Sequence, residues 1–208
     1  MNNAKRQEIV DQYRFIMEEL TARLGWIAVS LGGETGLLGE SIREFCFLQL
    51  RMICELIGLA CLTAHGEILG ANKLKDEYSA GKIMKALERL HAGFYPVPAE
   101  RRKVGHKQWV HEPVTSGFMT KGELISFYGR CGEFLHRGTL ADYLSHKRKG
   151  PAKFHDIAEA GAKIVKLLEV HEIHLSDGKG GIQGVMACIL RTDRGITQVV
   201  YGDVQPEK

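Results

Sequence analysis

A long apolar segment in the first third of the chain restricts the fold more than any other feature. Over residues 40–67 apolar side chains occur almost all round a helical projection, which is typical of a helix packed on several sides. Gln49, Arg51 and Glu55 interrupt the most apolar part, residues 45–62, and such side chains are costly at the centre of a bilayer. The segment therefore predicts a buried central helix and no membrane span.

Helical periodicity recurs on both sides of this segment. Apolar residues spaced three and four apart predict helices over residues 3–28, 79–91, 120–137 and 151–171. The fourth of these five helices begins with a capping box, since Glu123 follows Thr120 by three positions. Between the third and the fourth helix, residues 92–120 predict a loop of nearly thirty residues, and loops of this length are often functional.

The period changes to alternation near residue 173. Residues 173–176, 182–191 and 196–201 resemble strands, and glycine-rich connectors separate them. We therefore expect a mainly α protein, an antiparallel helical bundle over residues 1–172 with a small C-terminal antiparallel β-meander over residues 173–204 packed on it.

Charge and cysteine content bear on the compartment and on the partners. The net charge is +3, yet residues 101–153 hold eleven Lys and Arg against four acids, or +7, which leaves −4 for the rest. This distribution favours one face that meets an anion such as nucleic acid, although solvated surface lysines give the same pattern. Five cysteines without a CxxC pair fit a reducing compartment. Because the first twenty residues are highly charged, no signal peptide is expected, and we predict a cytoplasmic protein.

The most informative segment is YGRCGEFLHRG, residues 128–138. It places Arg130 and His136 six positions apart on one predicted helix, with the histidine in the last turn, where the helix dipole favours its charged form. This arrangement resembles the Arg-x(4–6)-His motif of the HEPN superfamily, which consists of all-α proteins of toxin–antitoxin, abortive-infection and antiviral defence systems. In active members the residue after the arginine is often Asn, Asp or His, and here it is Cys131.

The resemblance implies a HEPN-like bundle and a metal-independent ribonuclease (a hydrolase-class nuclease) in which the ribose 2′-hydroxyl attacks the adjacent phosphate. His136 would be the general acid or base and Arg130 the phosphate clamp. Six residues rotate a helix by about 600°, so the two side chains lie about 120° apart. The homodimer typical of the family would bring two motifs to one cleft. RNA, a second copy of the chain, and an antitoxin or sensor protein are the expected partners, and no cofactor or metal is expected.

Further residues are assigned around this motif. Arg51 and Glu55 lie one turn apart in the buried helix, where an ion pair is expensive unless other polar groups join it, so we expect them to support the site together with Glu133 and Cys131. The predicted nucleic-acid contacts are Arg101, Arg102, Lys103, Lys107, Arg137, Lys147, Arg148 and Lys149.

Several alternatives remain open. Glu133 lies one turn from Arg130, His136 and Arg137, so the motif could be a surface ion-pair ladder. Cys131 beside Arg130 could be a nucleophile. The remaining histidines lack a convincing zinc-ligand spacing, and Trp109 could stack on a base or cover the core. The competing function is a non-catalytic binding or regulatory module, which would hold a protein or nucleotide partner through the 92–120 loop or the meander.

Overall fold

In the computed structural model the chain forms helices that pack against one face of an antiparallel sheet. The structure describes residues 3–33, 35–66, 71–74, 76–106, 108–136, 144, 154–176, 181–192 and 195–203. The helices are α1 Asn3–Leu31, α2 Gly39–His65, α3 Ala80–Leu90, α4 Lys121–Leu135 and α5 Phe154–Leu168, with a 3₁₀ turn at Ala71–Leu74. The strands are β1 Val97–Gly105, β2 Gln108–Pro113, β3 Val170–Ser176, β4 Ile182–Ile189 and β5 Gln198–Asp203.

Helix α2 is the centre of the helical layer, as its composition predicts. The other four described helices all contact it, and Cys46, Cys54 and Cys61 form a fully buried stripe along it. By length and mean hydropathy of 1.8 alone, α2 could cross a membrane, but 61% of that window is buried inside the fold. Most of the apolar surface of α2 is therefore buried by packing within this chain.

The sheet is larger than the sequence predicts, and the expectation of a mainly α fold is wrong. All its strand pairs are antiparallel, in the order β2-β1-β3-β4-β5. The predicted three-stranded meander supplies β3, β4 and β5, and the predicted 92–120 loop supplies β1 and β2. The protein is a mixed α/β fold with a five-stranded sheet, and not the predicted helical bundle with a small appended meander.

The sequence did not predict the β1–β2 hairpin, for a physical reason. Most side chains of β1 and β2 beyond Ala99 are exposed or half-buried on both faces. A strand that buries neither face carries no alternation of apolar and polar residues, and that alternation is the signal used to find strands. The prolines at 96, 98 and 113 further indicated a loop.

The two faces of the sheet differ. Ile173, Leu175, Met186 and Cys188 point toward the helices and belong to the same hydrophobic core as α2. The intervening residues of β3 and β4 are half-buried on the opposite face, which we call the outer face. Predicted domains 1–172 and 173–204 thus share one core, and their boundary falls inside β3.

Candidate nucleic-acid interface and acid–base residues

Helix α4 carries the Arg-His motif. The Thr120 hydroxyl accepts a hydrogen bond from the backbone N–H of Glu123, and the Glu123 side chain accepts one from the Thr120 N–H, so the predicted capping box is present. The helix ends at Leu135, and His136 is the C-cap residue with an extended ψ of 131°. Arg130, Glu133 and His136 are all exposed. His136 therefore lies just beyond the last turn of the helix, whereas the sequence predicted it within that turn.

Arg130 lies in a groove of about 340 Å³ between α4 and α5. Its guanidinium is 5.1 Å from the ring centroid of Phe127. The charged residues lining this groove are Glu123, Arg130, Asp156, Glu159 and Lys163. Lys163 binds both Glu123 (2.9 Å) and Glu159 (3.1 Å), and its ammonium is the main cause that lowers the pKa of Glu123 to about 2. With three carboxylates and two cations, the groove alone is a poor anion site.

The predicted ion-pair ladder is absent from the part of the chain that the structure describes, where no ion pair joins Glu133 to Arg130 or His136. Nor does any described contact join Arg130 to His136. Among the described residues neither side chain is held in an ion pair, and no contact brings the two together within one protomer.

Arg51 and Glu55 pair as predicted, and Tyr128 of α4 completes a cluster with them. The Arg51 Nε lies 3.4 Å from the Glu55 carboxylate, Arg51 Nη2 donates to the Tyr128 hydroxyl at 3.0 Å, and that hydroxyl donates to Glu55 at 3.1 Å. The cluster is half-buried, and it lies against Gly132. Because Tyr128 and Arg130 are two residues apart on one helix, they point about 160° apart. Arg51 therefore flanks the side of α4 opposite to Arg130.

Cys131 does not have the surroundings of a nucleophile. Its side chain is fully buried, and burial raises the pKa of its thiol to about 12 despite the nearby Arg130 and Arg51 guanidinia. A buried thiol that stays protonated is unreactive. Cys131 is thus a core residue, and it lies between the side of α4 that carries Arg130 and the side that carries Tyr128.

The predicted nucleic-acid contacts divide into two groups. Lys107, Arg137, Lys147, Arg148 and Lys149 lie outside the described residues. Arg101, Arg102 and Lys103 lie on β1, where the strand pairing decides their direction.

Arg101 and Lys103 point to the outer face of the hairpin, together with Trp109. Arg101 pairs across the strands with His111, and Lys103 pairs with Trp109. The Arg101 guanidinium lies over the Trp109 ring, 4.3 Å from its centroid, while Trp109 stays 47% exposed. Arg102 points to the other face and pairs with Glu112 at 2.5 Å. One basic residue of the predicted three is thus separated from the other two.

The outer face is concave, as a contact between His111 and Glu172 indicates. Arg101 pairs with His111, whereas Val97 pairs with Glu172, and four residues of strand span about 13 Å. The His111 Nδ1 nevertheless lies 2.7 Å from the Glu172 carboxylate. The hairpin must therefore bend toward the outer face, the face that also carries Arg101 and Trp109.

A second histidine flanks the same carboxylate. His174 lies two residues after Glu172 on the same face, with its Nε2 3.8 Å from the second carboxylate oxygen. The backbone oxygen of His174 accepts from Nε2 of His91 at 2.9 Å, and Nε2 of His65 lies 3.2 Å away. These contacts hold the β3 backbone at His174 in place, and hence fix where the His174 side chain begins.

No metal-ligand spacing in the sequence joins His111 to His174, so the sequence does not predict that the two histidines lie near one carboxylate. One local signal was available, since the alternation of residues 172 and 174 places both on one face of a strand. The approach of His111 from the hairpin had no sequence signal. Within the described residues no group of three or more His, Cys, Asp or Glu side chains is arranged to hold a metal ion.

No protein-family model matches the chain, and no curated protein or solved structure is significantly similar to it.

Proposed function

We propose that the protein binds single-stranded RNA on the outer face of the β1–β2 hairpin. The single observation that carries the proposal is the placement of Arg101, Lys103 and an exposed Trp109 on one face. We call these three residues the hairpin face. A cytoplasmic location and the HEPN resemblance stay predictions.

Each member of the hairpin face supplies an interaction that single-stranded nucleic acid requires. The Arg101 guanidinium covers one face of the half-exposed Trp109 ring, so a base would stack on the other face, and such stacking is worth about 1–3 kcal/mol per base. Arg101 is held over that ring, so its cation is placed beside the backbone of a stacked nucleotide. Lys103 adds a charge for a neighbouring phosphate. A duplex hides its bases, so single strands should bind more tightly.

Fluorescence anisotropy with a labelled single-stranded RNA tests the proposal. Replacement of Trp109 by Ala should weaken binding by about 1–3 kcal/mol. Lys103→Ala should make the negative slope of log affinity against log salt less steep by about 0.7. Arg102→Ala is the matched control, because it removes the same charge from the adjacent residue on the opposite face. Equal losses for Lys103→Ala and Arg102→Ala, with no loss for Trp109→Ala, would contradict the proposal.

A second candidate is the metal-independent ribonuclease of toxin or defence type that the Arg-His motif implies. The observation that favours it is the exposure of Arg130 and His136 without an ion pair among the described residues. Since the two side chains do not meet in one protomer, this activity requires a homodimer that joins two motifs in one cleft, with Arg51 and Glu55 supporting α4.

Purified protein incubated with mixed RNA in excess EDTA separates the candidates. Cleavage that both Arg130→Ala and His136→Ala abolish, with 2′,3′-cyclic phosphate ends, would establish the ribonuclease. Arg14→Ala and His155→Ala are the controls, since each removes the same side chain from an exposed helical position. Binding without any cleavage would favour the non-catalytic module, and capture of an antitoxin or sensor partner would then be the next step.

A further inference from the structure

We infer that His111, Glu172 and His174 form an acid–base site that cleaves RNA held on the hairpin face. The inference rests on the proposed RNA binding, and it places the chemistry on the sheet instead of on α4. The site joins two strands that are far apart in the sequence, β2 and β3.

The contact between His111 and Glu172 fixes the tautomer and the orientation of the His111 imidazole. A carboxylate can only accept a hydrogen bond, so the Nδ1 of His111 at 2.7 Å must carry the proton. In the neutral ring Nε2 then has a free lone pair, which is the arrangement of a general base oriented by a carboxylate. Glu172 is thus a positioning residue for His111.

His174 supplies the second titratable group. Its Nε2 lies 3.8 Å from one oxygen of the Glu172 carboxylate, whereas the close contact of His111 is with the other oxygen. The side chains of His111, Glu172 and His174 are 21%, 27% and 33% exposed, so solvent and substrate reach all three. Two imidazoles beside one carboxylate supply the two groups that the reaction needs, one to accept a proton and one to donate it.

Arg101 and Trp109 place a substrate over these groups. Arg101 lies directly across the strand pair from His111, and a guanidinium suits the developing charge of a phosphorane because its donors are planar and paired. A base stacked on Trp109 would place its ribose and phosphate near Arg101, on the same face of the sheet as His111 and Glu172.

The reaction balances without a co-reactant. The Nε2 of His111 takes the proton of a 2′-hydroxyl, and that oxygen forms a bond to the adjacent phosphorus. The bond between phosphorus and the 5′-oxygen breaks, and the protonated imidazole of His174 donates its proton to that oxygen. The products are a 2′,3′-cyclic phosphate and a 5′-hydroxyl, and proton exchange with water restores both histidines.

The test uses a single-stranded DNA oligonucleotide with one ribonucleotide at its centre, in excess EDTA and with saturating full-length protein. Wild type should cut only after the ribonucleotide and leave a cyclic phosphate. His174→Ala and His111→Gln should each lower the single-turnover rate at least about 100-fold, with dissociation constants within about twofold of wild type. The glutamine amide introduced by His111→Gln retains a donor for Glu172, so the hairpin stays seated. Glu172→Gln should lower the rate about tenfold with unchanged affinity, a separation that loss of folding would not produce.

His155→Ala, which alters an exposed histidine on α5, should cleave as wild type does. If the wild-type protein binds RNA but does not cleave it, this inference is overturned and the proposed function stands. Cleavage that survives His111→Gln and His174→Ala but disappears in Arg130→Ala or His136→Ala would overturn it in favour of α4. Absence of RNA binding by wild type would overturn both proposals.

Discussion

The hydroxyl of Tyr13 lies 2.6 Å from Nε2 of His171 and joins helix α1 to strand β3 inside the core. The Nδ1 of His171 is 2.9 Å from the Leu168 backbone oxygen, which can only accept, so Nδ1 carries the proton and Nε2 accepts from Tyr13. Both side chains are fully buried. Burial lowers the pKa of His171 to about 4, so the folded protein holds this histidine neutral.

Acid should therefore destabilise the fold well above the pH at which carboxylates titrate. An unfolded histidine has a pKa of about 6.5, so the unfolded chain binds more protons than the folded chain as the pH falls from 6.5 to 4. The contribution of His171 is complete above pH 6.5 and falls by about 2 kcal/mol between pH 7 and pH 5. Burial lowers the pKa of His65 too, which acts in the same direction. Urea unfolding at the two pH values measures the change, and an equal or higher midpoint at pH 5 would contradict the prediction.

Removal of the Tyr13 hydroxyl should destabilise the protein even at neutral pH. Tyr13→Phe leaves the Nε2 lone pair of His171 buried without a donor, and an unsatisfied buried acceptor costs about 1–3 kcal/mol. Tyr78→Phe is the matched control, because that side chain is 73% exposed, and it should change the free energy of unfolding by less than about 0.5 kcal/mol. Thermal and urea unfolding of both variants would show the difference. Equal effects would mean that the Tyr13 hydroxyl contributes no specific bond.

Two glycines of α4 should respond in opposite ways to replacement by alanine. A Cβ at Gly132 would lie 2.6 Å from Nη1 of Arg51, whereas a Cβ at Gly129 would meet nothing within 4 Å. Gly129→Ala should stabilise the protein by about 0.5–1 kcal/mol through helix propensity. Gly132→Ala must displace a guanidinium held by Tyr128 and Glu55, and overpacking of this kind costs about 1–3 kcal/mol. Stabilisation by both variants would show that Arg51 moves freely and that its cluster does not fix α4.

The cysteines should resist thiol reagents in the folded protein. All five are free and buried, and burial raises the pKa of Cys131 and Cys188 to about 12. Because the thiolate is the reactive form, a disulfide reagent at pH 8 should label less than one thiol per native chain and all five in denaturant. Rapid native labelling that Cys131→Ser removes would restore the nucleophile hypothesis.

The elements that could be predicted are those in which the spacing of apolar side chains reflects their burial. The all-round apolar surface of α2, the capping box at Thr120 and Glu123, and the alternating strands β3 to β5 were predictable because periodicity records which faces are covered. The pairing of Arg51 with Glu55 was predictable from helical spacing alone. The entry of Tyr128 between them was not, since it depends on how α4 packs on α2.

The surface where we place RNA binding could not be predicted, because strand pairing and packing of the whole chain create it. The β1–β2 hairpin buries too little of either face to leave a periodic pattern, so its strands looked like a loop and the fold looked mainly helical. Strand pairing then separated Arg102 from Arg101 and Lys103, which no count of charges could do. The bend of the hairpin brought His111 to Glu172, 61 residues away. A contact of that kind depends on strand order and curvature, which arise from packing of the whole chain and not from local sequence.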